Sequence, residues 1–121
     1  MEFIPSSAIV TLSNPGVCSR QLLNPDNSSS LRVTMTEVHL DAGATQPPHV
    51  HESSEQIWYA LQGSGTLLLV GEATRRFQAG DVVRFKEGDL HGLRNDADGE
   101  FVYLSVTSPP IHFGFAYSNK E

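Results

Sequence analysis

Basic residues, cysteine and long apolar runs are what this chain has least of. Lys and Arg together number 8 against 14 Asp and Glu, giving a formal net charge of −6. Phosphate binding needs a basic face, so that balance excludes nucleic acid as the main partner. A single cysteine, Cys18, rules out an intramolecular disulfide and fits a reducing compartment. No apolar stretch approaches the roughly 18 residues that a membrane span requires. The opening MEFIPSSAIV lacks a positively charged segment followed by an apolar one, so no signal peptide is expected. A soluble cytoplasmic protein follows as the expectation, and 121 residues suit one domain spanning 1–121.

Helical periodicity, internal repeats and linkers are lacking as well. What remains has the period of strands. From Leu31 to Leu40, Val33, Met35, Glu37 and His39 alternate with Thr34, Thr36, Val38 and Leu40. QIWYALQG, GTLLLVG, RRFQAG, DVVRF and EFVYLSV are further short runs bounded by Gly, Asp or Pro. About eight strands are expected, in an all-β sandwich or barrel. The segment from Leu22 to Leu31, polar in its middle, reads as a surface loop.

Chemistry concentrates in PPHVHESSEQIWYALQG, from Pro47 to Gly63. In extended backbone, residues two apart share a face, so His49 and His51 aim two imidazoles at one point. Pro47 and Pro48 favour that extended approach. Imidazole suits divalent transition metals, but two histidines alone are equally explained as solvated or structural.

The surroundings are more specific. Five residues separate Gly43 from His49; one lies between His49 and His51, four precede Gln56, and six lead to Gly63. Downstream, Gly80, Lys86, Gly88, His91 and Asn95 are separated by five, one, two and three residues. These spacings resemble the two signature motifs of the cupin superfamily, G(X)5HXH(X)3,4E(X)6G over about 43–63 and G(X)5PXG(X)2H(X)3N over about 80–95. Two positions depart from the pattern: Lys86 replaces the proline, and Gln56 stands where the acidic ligand usually is. The resemblance implies an antiparallel double-stranded β-helix, or jelly-roll barrel, with His49, His51 and His91 on one metal ion. For the fourth ligand, Glu55 satisfies a three-residue gap after His51 but leaves seven residues before Gly63. Gln56 satisfies both halves of the motif, with Glu55 the alternative.

Strand parity puts Gln56, Trp58 and Ala60 inward and Ile57, Tyr59 and Leu61 outward. A neutral amide, unlike a carboxylate, leaves the ion its full charge and so a stronger Lewis acid. The donor set admits iron, manganese, nickel, zinc, cobalt or copper. Tyr103, Ser105 and Thr107 share one parity, facing either the cavity or solvent; Tyr103 and Ser105 are the candidate catalytic residues. Trp58 is either a pocket wall or core filling. Glu37 and His39 either line the cavity mouth or are solvated, and Arg84 and Arg94 are candidate carboxylate anchors. Cys18 is expected to be a small apolar filler. The tail SVTSPPIHFGFAY is expected to pack across the barrel or a second subunit, with His112 a remote fifth-ligand candidate.

The His-His-Gln-His set with an SPP turn resembles small cupins that linearise unsaturated uronates from pectin and alginate. An aspartate, an aromatic residue and an arginine near that turn mark the group; Ser105, Thr107 and Ile111 occupy those positions here. The expectation is therefore a metal-dependent isomerase or lyase acting on a small oxygen-rich molecule. A metal-dependent dioxygenase and a non-catalytic small-ligand-binding cupin are the alternatives. No helix-turn-helix is read in the sequence. Small-molecule ligands and a homodimer are the expected partners, the dimer by resemblance alone.

Overall fold

The computed structural model describes residues 1–111 and 119–120. Eleven strands follow in order: β1 (Val10–Asn14), β2 (Val17–Leu23), β3 (Thr34–Leu40), β4 (Thr45–His49), β5 (Glu55–Gln62), β6 (Ser64–Leu69), β7 (Thr74–Gln78), β8 (Val82–Phe85), β9 (His91–Arg94), β10 (Phe101–Ser108) and the two-residue β11 (Asn119–Lys120). Among the described residues the only helical pieces are 3₁₀ turns at Ser6–Ala8 and Val70–Glu72. No helix among the described residues is long and apolar enough to cross a membrane.

The strands form two antiparallel sheets. Seven lie in the order β11-β1-β2-β3-β10-β5-β8 and four in the order β4-β9-β6-β7. Their facing sides enclose the core, as the expected double-stranded β-helix requires. One end of the interior is dry: Leu40, Phe77, Leu93 and Phe101 are almost completely buried. The other end is polar. Thr34, Thr107, Gln56 and Phe85 form one inward row across β3, β10, β5 and β8. Gln21, Thr36, Ser105 and Trp58 form the next. An interior graded from apolar to hydroxyl-bearing leaves room for a ligand at the polar end.

Local sequence explains the corners. Gly63 turns β5 into β6 with φ at +87°, and a Cβ there would lie 2.7 Å from the Glu100 carbonyl oxygen. Neither the dihedral nor the space suits a larger residue. Asn95 is fully buried and gives its amide hydrogens to the carbonyls of Leu40 and Gly99, both at 2.9 Å. It thereby staples β3 to the turn after β9, a structural role for the last position of the second motif.

Three expectations need correction. The strand expected from Leu31 begins at Thr34, so Arg32 lies outside it, where its carbonyl accepts the Ser108 hydroxyl at 2.6 Å. The segment from Leu22 to Leu31 is not a loose loop throughout. Leu22 and Leu23 end β2, and the Asn24 and Asn27 side chains accept backbone N–H groups of Asp26 and Asn24, each at 2.8 Å. Cys18 is exposed on β2 rather than filling the interior, because inward positions on this strand belong to Val17, Ser19 and Gln21. His112 and the rest of the expected packing tail, residues 112–117, lie outside the described residues.

Candidate metal centre

The ligand nitrogens of His49, His51 and His91 lie within 4.8 Å of one another, so this triad can hold a metal ion. Pairing of β4 with β9 sets His49 directly opposite His91, and their ring centroids are 4.5 Å apart. A register shift after Gln46 makes that alignment possible. His49 ends β4, whereas His51 lies beyond the strand; its ring meets that of His49 edge-on at 4.9 Å. Alternation in a strand is therefore not what joins the two. The turn after β8 holds His51 instead, through the Gly88 N–H donating to its carbonyl at 3.0 Å.

That turn also explains how Lys86 replaces the family's proline. Its backbone N–H donates to the Asp89 carboxylate at 2.8 Å, a bond proline cannot make. The Asp89 N–H closes the turn on the Lys86 carbonyl at 3.0 Å. Asp89 then presents its own carbonyl to Nδ1 of His91 at 2.9 Å. An Asp-closed turn takes over the stiffening that a proline ring supplies elsewhere.

Close approach of β4 to β9 rests on Gly92, which the sequence reading passed over. A Cβ on Gly92 would sit 2.7 Å from the Gln46 carbonyl oxygen and 2.8 Å from the Pro48 nitrogen. A glycine inside a strand often marks close backbone approach, and that was the available signal. Phe85, also passed over, stacks on the His91 ring at 4.2 Å with planes 10° apart.

Glu55 and Gln56 separate cleanly. Glu55 faces outward and accepts from Nε of Arg84 at 2.7 Å. Gln56 is buried, with its amide NH2 donating to Thr107 Oγ1 at 3.0 Å and Oε1 lying 3.0 Å from His91 Nε2.

Burial pushes the His91 pKa down to about 4; the Asp89 carbonyl pulls it upward, and His49 and His51 push it down again. His51 is also pushed down to about 4, by burial and then by His49. Both rings are neutral near pH 7, as metal ligation demands. A neutral imidazole has one N–H, yet both nitrogens of His91 face oxygen atoms. With the Gln56 amide directed at Thr107, one of those contacts sets lone pair against lone pair. A shared cation removes that conflict, so the donor set fits a metal ion.

A cavity of about 520 Å³ opens beside the triad, lined in part by Thr36, Gln46, Trp58, Tyr103 and Ser105. Tyr103 and Ser105 are both buried on its wall, and the Tyr103 hydroxyl donates to Gln46 Oε1 at 2.7 Å across the two sheets. Trp58 plays both roles considered for it, lining the cavity while packing in the core against Tyr103 at 4.4 Å. Glu37 and His39 lie away from the cavity and bond to each other at 2.8 Å; Arg20 pairs with Glu37 and Glu100 with His39. Arg84 and Arg94 pair with Glu55 and Asp96 and do not line the cavity.

A protein family described as a cupin domain matches residues 36–107. The pectin degradation protein KdgF of Dickeya dadantii is 32% identical over 75 residues, covering 62% of this chain and 66% of that protein. A germin-like protein 5-1 of Oryza sativa subsp. japonica is 31% identical over 82 residues, 64% of this chain but 37% of its own length. Among solved structures, KdgF from Halomonas sp. superposes with a TM-score of 0.76 at 24% identity, covering 92% of this chain and 96% of that one. The polyketide cyclase RemF from Streptomyces resistomycificus gives 0.78 at 20% identity, covering 100% and 84%. These two likenesses concern the fold.

Proposed function

Since the chain belongs to the cupin family, we propose that His49, His51, His91 and Gln56 bind one divalent transition-metal ion in a metal-dependent enzyme. Its substrate is a small, oxygen-rich molecule, and its reaction an isomerase- or lyase-type conversion. This reading rests on one observation: three imidazoles converge at the edge of a cavity, with the Gln56 amide oxygen 3.0 Å from Nε2 of one of them, His91. Similarity to a pectin degradation protein supports a sugar-derived substrate. The donor set suits iron, manganese, nickel, cobalt, zinc or copper. A bound ion would supply Lewis-acid polarisation of a carbonyl or carboxylate, undiminished by any ligand carboxylate.

The chain's own groups do the rest. Ser105 lies in the register row next to Gln56 and presents a hydroxyl to the cavity wall, suited to binding substrate oxygen or relaying a proton. Tyr103 is held by its bond to Gln46, which orients the phenol toward bound substrate. Trp58 and Phe85 pack around His91 and exclude water from its buried side. The reading extends to a cytoplasmic homodimer.

Elemental analysis of purified protein, with anomalous scattering at the site, tests the metal assignment. One ion per chain is expected, lost in His91→Ala; full occupancy in that variant sinks the assignment. Oxygen uptake by the iron-loaded protein would instead indicate a dioxygenase. Tight binding without turnover across a broad substrate panel would indicate a non-catalytic binding protein.

A further inference from the structure

The connection between β8 and β9 serves two of the three histidines, which reach it from different parts of the chain. His51 arrives from the segment after β4, and its carbonyl accepts the Gly88 N–H at 3.0 Å. His91 opens β9 and turns Nδ1 to the Asp89 carbonyl at 2.9 Å. His49 is oriented separately, by the Pro47 carbonyl 3.0 Å from its Nδ1. Between Lys86 and Asp89 the turn is closed twice. The Asp89 N–H donates to the Lys86 carbonyl at 3.0 Å, and the Lys86 N–H donates to the Asp89 carboxylate at 2.8 Å. Of these contacts, the carboxylate is the one that substitution can remove without touching the backbone or a ligand.

The two bonds to the histidines start from consecutive residues, Gly88 and Asp89, so a shift of the turn displaces both supports together. Ligands already held in place need no ordering when an ion binds, and groups that orient them govern affinity as well. A proline at position 86 would fix its own φ but offer no N–H. The ring and the carboxylate are therefore alternative ways of holding one turn.

We propose that Asp89 is a positioning residue for the metal: its carboxylate locks the 86–89 turn and, through it, sets His51 and His91 in ligating position together. This rests on the metal reading above and goes beyond it, because the Asp89 carboxylate lies outside the ligand set. It also says when the carboxylate becomes dispensable, which is in Lys86→Pro.

Titration with cobalt, followed by the ligand-field absorption of the bound ion, tests the proposal. Asp89→Ala should weaken cobalt binding about 10- to 100-fold and alter the absorption bands of the ion that still binds. Asp89→Asn, which keeps an acceptor oxygen and removes the charge, should stay within about threefold of wild type. In the Lys86→Pro background, Asp89→Ala should cost less than about threefold, because the ring already holds the turn. Where Lys86→Pro alone binds poorly, the contrast between the Ala and Asn variants decides. Binding by Asp89→Ala within about threefold of wild type overturns the inference, as does an equal loss in both backgrounds. So does a variant with a lower melting temperature but an unchanged cobalt spectrum, which would make Asp89 a general stabiliser of the turn. These outcomes leave the metal site standing. A wild type that binds no cobalt removes the metal reading and the inference with it.

Discussion

Gln56 shows how one side chain is chosen over its neighbour. Across β5 and β10 it stands directly opposite Thr107, whose Oγ1 takes the amide NH2 and leaves the carbonyl oxygen toward His91. Glu55, one residue earlier, is committed by strand parity to the other face and to Arg84. Glu55→Ala should therefore leave metal affinity unchanged. Gln56→Leu should weaken it, and Thr107→Val, which keeps the shape and removes the bond, should weaken it roughly 10- to 100-fold. Competition for metal with a chromophoric chelator measures all three. If Glu55→Ala loses metal while Gln56→Leu keeps it, the assignment of the fourth ligand is wrong. Parity was enough to read the inward position of Gln56 from the sequence. Thr107 was read only as one of three polar residues facing either the cavity or solvent, because its pairing depends on the β5–β10 register, which no local pattern reveals.

At the scale of elements, legibility followed the apolar alternation. β3, β5 and β10 bury every second residue and were visible as strands. β1 and β2 were not, because β2 turns Ser19 and Gln21 inward and Cys18 outward, against the usual pattern. β4 contains two prolines and β9 has four residues, so neither offers a periodic signal. The sheet containing β2 and β3 also carries an ionic cluster whose effect on stability can be signed. Burial lowers the His39 pKa, but bonds to Glu37 and Glu100 outweigh it and leave the pKa above its ordinary 6.5. Glu37 is held below its ordinary 4.5, chiefly by its bond to His39. A raised histidine stabilises fully below 6.5 and loses that contribution as pH rises through its folded value; a lowered glutamate stabilises above 4.5 and loses it as pH falls. The cluster should thus contribute most between those two values. Thermal unfolding should show a midpoint decline from about pH 6 to about pH 8 that is shallower in His39→Gln. An identical decline in both proteins would remove His39 from the account.

At the scale of the whole molecule, the seven-stranded sheet has two faces of different character. Its inner face runs from the dry end around Phe101 to the hydroxyl-bearing end around Ser105, and this gradient positions the cavity. Its outer face leaves apolar side chains in solvent: Ile57, Tyr59 and Leu61 along β5, and Val82 directly opposite Tyr59 on β8. Met35, Leu104 and Val106 extend that surface across β3 and β10, half-buried between their neighbours. Contiguous exposed apolar surface is characteristic of interaction sites, and an antiparallel sheet face meets a second copy of itself through an isologous contact. The proposed homodimer would use this face, with β5 near its centre. Sedimentation equilibrium should then give twice the chain mass for the wild type. The double variant Ile57→Glu, Tyr59→Glu should sediment as a monomer while keeping its β-sheet circular dichroism and its metal. Because the triad lies on the other side of the sheet, metal content separates loss of the interface from loss of the fold. A wild type that stays monomeric up to about 100 μM, well above the dissociation constants of stable dimers, would rule the interface out.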